Sequence, residues 1–243
     1  EEQIYEDSFI NQRLQNFKMS HSTMTSYLEC PQKFYIEKMI SIPSETSFQM
    51  SMGNFYHGLL ENFDKLIQDQ PEKDSLNELL LMARQSLYHY RGLMTDFEFK
   101  DVQQALETNL PLLYHNYMQL QKPLSYELEK KLEMTIGPCL FTGKLDKLIF
   151  DGDQITIVDY KTGKLSNSKR NHKLDQYDPA FLLIDDASID QIYGGNYWRQ
   201  AVIYSLLVKA NYPDKTINEV RYVYILPEDL EIKTFTFSPT IED

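Results

Sequence analysis

Two aspartates and a lysine decide what chemistry this chain can do. Asp146 closes the stretch Gly143-Lys144-Leu145-Asp146, and twelve residues further on comes Asp159-Tyr160-Lys161-Thr162-Gly163. Side chains alternate along a strand, so Asp159 and Lys161 share one face and Tyr160 takes the other. Asp151-Gly152-Asp153 lies between the two stretches and is a strong turn signal. A hairpin closed there pairs positions whose numbers sum to about 304 or 305, which sets Asp146 opposite Val158 or Asp159. On a shared face the two carboxylates come within about 5 Å and repel by roughly 3 kcal/mol at an effective dielectric near 20. Something positive belongs between them. Mg²⁺ or Mn²⁺ accepts such oxygen ligands, and Lys161 beside the ion can orient an attacking hydroxide and offset charge on a phosphoryl oxygen. That is metal-assisted phosphodiester hydrolysis. The competing reading is an exposed Asp146–Lys161 ion pair across the hairpin, worth no more than ~1 kcal/mol.

The elements that must hold these groups follow from periodicity. From Tyr126 to Ile136 apolar and charged residues alternate with period two, and Leu140 to Phe150 and Gln154 to Lys161 are further strand patterns, so the three form a β-meander. Glu127, Glu129 and Glu133 sit on one side of its first strand and read as charges on a solvated face. Tyr197 to Ala210 reads as a helix, and Val220 to Leu226 and Ile232 to Phe237 as closing strands. Upstream, apolar residues recur at three- and four-residue spacings from about 22 to 121, which predicts helices. Ser22 is placed to cap the first and Pro43 to follow its end; Pro71 separates the second from the third, Gly92 terminates the third, and Pro111 kinks or splits the last. Helices followed by sheet, helix and sheet predict a mixed α/β or α+β fold around a central sheet.

Composition narrows the partners. The 243 residues carry 24 basic and 36 acidic side chains, a net charge of −12 that argues against a general nucleic-acid coat, so any contact with a polyanion must be local. No apolar run reaches the ~18 residues of a membrane span and no signal-peptide pattern opens the chain, which sets a cytoplasmic expectation. Cys30 and Cys139, the only cysteines, are too few for a disulfide framework or an all-cysteine cluster. Chain ends lacking Met and closing directly after a strand pattern suggest a fragment of a larger protein. The expectation is one domain over 1–243, with a mainly helical part at 18–122 and a sheet-containing core at 123–243.

Gly143-x-x-Asp146 followed by Val158-Asp159-Tyr160-Lys161-Thr162-Gly163 closely resembles the PD-(D/E)XK nuclease superfamily in its RecB-like branch. Ser20-x-Ser22 with Tyr27-x-x-Cys30-Pro31-x-x-Phe34 is similar to that branch's opening helix, Gly53-x-x-x-His57 to its second helix, and Gln200-x-x-x-Tyr204 to the helix after the catalytic strands. Together these landmarks run in family order from about residue 18 to 210. The resemblance implies a restriction-endonuclease-like mixed sheet flanked by helices. It also implies His57 and Asp146 as metal ligands, Asp159 as the bridging acidic ligand, the Tyr160 carbonyl as a further ligand and Lys161 as the catalytic lysine. Gln200 and Tyr204, four apart on one helix face, are implied to flank the site, ordering the lysine or contacting the scissile strand. On residue type alone His57, Gln200 and Tyr204 are equally ordinary core or boundary side chains. Some relatives hold an iron–sulfur cluster through the Cys of the Cys-Pro motif and three later cysteines. None follows Cys139 here, so no cluster is expected and Cys30 reads as a buried small residue.

Between Asp159 and Asp175 no acidic residue occurs, while Lys161, Lys164, Lys169, Arg170 and Lys173 supply five cations. That segment is either a phosphate-tracking substrate contact, with Lys164, Lys169 and Arg170 as its binding residues, or a solvated loop. Gly137 to Leu145 mimics a phosphate-binding loop but has Leu145 where Ser or Thr is needed, so no ATPase site is read. The phrase from Tyr193 to Tyr204 is similar to nuclease domains fused to UvrD/Rep-type helicases, implying a helicase domain or subunit as partner. The resulting expectation is a Mg²⁺- or Mn²⁺-dependent DNA nuclease, an exonuclease acting on ends or single strands in repair or recombination. A catalytically inactive nuclease-fold module that binds DNA or a helicase is the alternative, and a hydrolase of small phosphate compounds a third.

Overall fold

The computed structural model describes residues 7–41, 47–116, 118, 125–163, 188–225 and 232–235. Helix α1 (Asp7–Leu14) leads into a two-residue strand β1 (Lys18–Met19), followed by α2 (His21–Glu29) and α3 (Pro31–Phe34), which continues as a π-helical turn over Tyr35–Met39. Three longer helices follow, α4 (Phe48–Asp69), α5 (Leu76–Tyr88) and α6 (Asp96–Asn116). The meander is β2 (Ser125–Ile136), β3 (Cys139–Asp151) and β4 (Gln154–Lys161); then come α7 (Ile189–Tyr193), α8 (Asn196–Asn211), β5 (Thr216–Tyr224) and β6 (Ile232–Phe235).

Several helix boundaries differ from those read in the sequence. Ser20, not Ser22, caps the first of the long-expected helices: its side chain accepts from Thr23 N–H while Thr23 Oγ1 accepts from the Ser20 N–H. That helix stops at Cys30, whose extended backbone precedes Pro31, as the residue before proline is held out of the helical region. Cys30 is half-buried and its Sγ accepts from Lys33 N–H, so it is a capping residue rather than a core filler. The third long helix ends at Tyr88, before Gly92, which lies in a short 3₁₀ turn. Pro111 does not split α6, which runs through it. Pro43 lies outside the described residues.

The sheet is mixed. β2 pairs antiparallel with β3 along its whole length, β3 with β4 antiparallel, β4 with β5 parallel, and β5 with β6 antiparallel. β1 joins β3 in parallel at Leu140 and Phe141, on the edge that β4 occupies from Lys147 to Asp151. The two partners therefore share one edge of β3 end to end, and among the described residues no strand pairs with residues 142–146 of that edge between them.

Helices cover both faces. On one, Leu59, Leu60 and Phe63 of α4 pack with Leu79 and Leu87 of α5, Leu110 and Leu113 of α6 and the sheet residues Ile149, Val158, Tyr160 and Val223. On the other, Ala201, Ile203, Leu207 and Val208 of α8 meet Leu145, Leu148, Ile155, Ile157, Val220 and Tyr222. A parallel β4–β5 pair needs a crossover, and α8 supplies it. Gly143 makes the close approach of α8 possible, since a Cβ there would lie 2.6 Å from Leu207 Cδ1. An ion pair stitches the opposite side: Lys147 of β3 donates to Asp64 of α4 at 2.8 Å, both almost fully buried, with the Lys147 ammonium 4.2 Å from the Tyr126 ring centre.

Candidate active site

The β3–β4 register runs Asp151 opposite Gln154 through Lys147 opposite Val158, so one further step sets Asp146 level with Asp159. Asp146 Oδ2 accepts the Tyr160 N–H at 2.9 Å and stands 3.2 Å from His57 Nδ1. His57 reaches it because α4 lies across the helical face of the sheet, and its ring meets that of Tyr160 edge-on, 6.2 Å between centres. Burial pulls the His57 pKa down, but the hydrogen bond and charge of Asp146, helped by Asp159, outweigh it and leave the imidazole above its ordinary value.

Asp159 and Lys161 project toward α8. Lys161 Nζ lies 2.6 Å from Asp159 Oδ2 and donates to Gln200 Oε1 at 2.8 Å. The Gln200 amide nitrogen donates in turn to Asp159 Oδ1 at 3.0 Å and to the Tyr204 hydroxyl at 3.1 Å. The orientation of the amide is thereby fixed: its oxygen meets the ammonium and its nitrogen the carboxylate. Burial is the main force raising the Asp159 pKa, resisted by Lys161 and reinforced by Asp146. Burial likewise pushes Tyr204 well above its usual range, followed by the charge of Asp159. Two aromatic rings flank the ammonium, Tyr197 at 4.4 Å and Tyr222 at 5.0 Å from their centres.

The structure thus gathers His57, Asp146, Asp159, Tyr160, Lys161, Gln200 and Tyr204 around the middle of β3 and the last residues of β4, between α4 and α8. An exposed Asp146–Lys161 pair is not what forms, because Lys161 turns to Asp159 and Asp146 to His57. Lys164, Lys169 and Arg170 lie outside the described residues. Glu129 departs from the solvated-face reading: it adopts a left-handed backbone with φ 51°, falls level with Asp146 in the β2–β3 register, and its largely buried side chain pairs with Lys144. His21 carried no signal in the sequence, yet Nε2 makes a 3.0 Å contact with the Asn196 carbonyl at the start of α8, and its pKa is lowered to about 4 by burial first and then by the charge of Lys161. Only the three-dimensional adjacency of α2 to α8 could have revealed it.

For a divalent cation, the donor types fit. Two carboxylates and an imidazole are acceptable ligands for Mg²⁺ or Mn²⁺, and Asp159 Oδ2 is buried without a hydrogen-bond donor in proper geometry. Among the described residues, however, no three His, Cys, Asp or Glu side chains converge as a ready-made cage, since each acid is engaged by its own cationic neighbour.

The model of the PD-(D/E)XK nuclease superfamily matches residues 18–240. The chain belongs to that superfamily. In this PD-(D/E)XK member the D-x-K lettering reads on to Asp159-Tyr160-Lys161, and the mixed sheet between helical layers is the fold it implies. Among solved structures it is similar to a protein of Eubacterium rectale provisionally described as an exonuclease, at 13% identity with a TM-score of 0.51, covering 97% of this chain and 77% of that one. SSO0001 is matched at 13% identity over 89% of this chain and 79% of that one, but its TM-score of 0.32 carries no argument. No curated protein matches the chain. Among the described residues no helix is long and apolar enough to cross a membrane.

Proposed function

We propose that this PD-(D/E)XK chain is a divalent-metal-dependent DNA nuclease, an exonuclease that hydrolyses phosphodiester bonds at ends or in single strands. The observation that carries the reading is the Asp159–Lys161–Gln200 link, which holds a lysine and a carboxylate side by side, one strand from the level Asp146. Asp146, Asp159 and His57, with the Tyr160 carbonyl, would hold Mg²⁺ or Mn²⁺. When bound, the ion polarises the phosphoryl group and makes water a competent nucleophile near neutral pH.

The rest falls to the chain's own groups. Gln200 and the rings of Tyr197 and Tyr222 fix the Lys161 ammonium, so it can meet charge developing on a phosphoryl oxygen without reorganising. His57 steadies Asp146 and keeps its carboxylate turned toward the site. The Tyr160 N–H does the same from the backbone, fixing β4 against the end of β3. Work in repair or recombination beside a helicase domain is the wider setting we infer, supported by the phrase from Tyr193 to Tyr204 and by a net charge of −12 that leaves most of the DNA grip to a partner.

The test is cleavage of labelled single- and double-stranded DNA with Mg²⁺ or Mn²⁺, beside Asp159→Asn and Lys161→Ala. Each variant should lose about a hundredfold or more in rate; cleavage retained by both would overturn the assignment. One observation favours a second reading, a non-catalytic DNA-binding module: both acids are already engaged, by His57 and Lys161. Binding without cleavage in either metal would select it.

A further inference from the structure

Two clefts lie on the side of the first helices, and neither is used by the chemistry above. The larger, about 720 Å³, is lined by Phe9, Arg13, Phe17, Lys18 and Lys38 together with the amides of Gln12 and Asn16 and with Met39. Its lining holds three cations and no acid, in a chain whose net charge is −12. Lys18 is paired with Glu133 outside the cleft, but Arg13 and Lys38 make no ion pair among the described residues, and Arg13 lies over the Phe9 ring at 5.6 Å. Phe17 is held edge-on by Phe34, 5.6 Å between centres, so the ring is fixed rather than mobile.

The smaller cleft, about 230 Å³, shares Lys38 with the larger and continues past Lys33 and Thr25 to His21 and Asn196. Its acids are Glu29 and Glu37, the latter 4.0 Å from Lys33. His21 Nε2 lies 3.0 Å from the carbonyl of Asn196, whose neighbour Tyr197 has its ring centre 4.4 Å from the Lys161 ammonium, which brings this end of the cleft to the active site. At the other end, Lys18 stands on β1 beside Leu140 of β3, and β3 runs from its Phe141 contact to Asp146 in five residues, about 17 Å. Stacked nucleotides advance 3.4 Å each, so a strand must be about five nucleotides or longer to touch both.

We propose that the two clefts form one track for a single-stranded nucleic acid, the flank of the strand whose phosphate lies at Lys161. Arg13 and Lys38 neutralise its backbone, and Phe17 and Phe9 offer apolar surface to its bases, the pairing of cation and ring that sequence-independent strand binders use. This rests on the nuclease reading and adds to it where the strand goes.

The test is equilibrium binding of fluorescent dT4 and dT15 to the whole chain across a salt titration, with cleavage of dT15 followed separately. Arg13→Ala combined with Lys38→Ala should weaken dT15 about tenfold or more, reduce its salt slope by about 1.4 from two lost contacts, and leave dT4 unchanged. Arg13→Glu, at an exposed position of α1, should weaken dT15 in the same direction and further, because it reverses the charge. Phe17→Ala should also weaken dT15 with no change in salt slope. If the native chain cleaves dT15 but the variants bind both lengths as it does, the track is wrong and the nuclease reading stands. If the native chain binds dT15 through these residues without cleaving it, the track stands and the nuclease reading falls. No binding of either length overturns both.

Discussion

Gln200 is the side chain on which the acid and the lysine of the site depend together. Its oxygen accepts a hydrogen bond from the Lys161 ammonium and its nitrogen donates one to Asp159, so no isosteric apolar residue can replace it. Gln200→Leu should lower cleavage about ten- to hundredfold with a smaller change in DNA binding, read as a fall in kcat with KM nearly constant. His21 acts through stability instead. Its folded pKa of about 4 lies below the ordinary 6.5, so between those values the unfolded chain binds a proton that the folded chain does not. Its contribution is therefore whole above pH 6.5, shrinks as pH falls, and levels off below about 4; between pH 7 and 5 the loss is roughly 2 kcal/mol. His21→Gln keeps a donor toward the Asn196 carbonyl and should flatten that part of the pH profile in urea unfolding. The placement of Asp146, Asp159 and Lys161 on adjacent strands was legible in the sequence because a strand period and a turn signal locate them. His21 was not, since nothing local distinguishes a histidine that abuts a distant helix.

At the scale of elements, the Lys147–Asp64 pair joins β3 to α4 one residue from Asp146 and two helical turns from His57. Removing one member strands a buried charge, so Asp64→Ala should cost about 3–5 kcal/mol, whereas Asp64→Leu with Lys147→Met should recover most of it; chemical denaturation separates the two. The meander was readable because period-two alternation and Asp151-Gly152-Asp153 both speak at short range, and the β3–β4 register fell on one of the two expected alignments. The first helix was drawn too long because its apolar spacing continues beyond Cys30, while Pro31 sets the break. β1, α7 and the parallel pairing of β4 with β5 gave no signal: two residues carry no period, and which strands become neighbours is decided by the crossover.

For the whole molecule, the two helical layers close on one sheet and the site lies between them, at the middle of β3 and the last residues of β4. A ligand that binds only this assembled arrangement stabilises it by mass action, about 2.7 kcal/mol at a hundredfold excess over its Kd. Saturating Mg²⁺ or Mn²⁺ should therefore raise Tm by several degrees, and Asp146→Asn with Asp159→Asn should abolish the rise, read against that variant's own metal-free Tm. The overall order of helices and strands was legible because each element carries its own period. The mutual placement of α4 and α8 on opposite faces was not, and it is this placement that unites His57 with Gln200 around two strands.

The shared edge of β3 has one more implication. Because the pairing with β1 stops at Phe141 of β3 and the pairing with β4 begins at Lys147, the β3 backbone between them keeps peptide groups that no neighbouring strand among the described residues has claimed. Such a notch within the sheet is filled by side-chain contacts instead of a strand: the Tyr204 hydroxyl reaches the Lys144 carbonyl at 3.5 Å, and the Asp146 carboxylate accepts the Tyr160 N–H. The interruption that lets Asp146 lean toward Tyr160 is therefore what makes room, inside the sheet, for groups from both helical layers to meet.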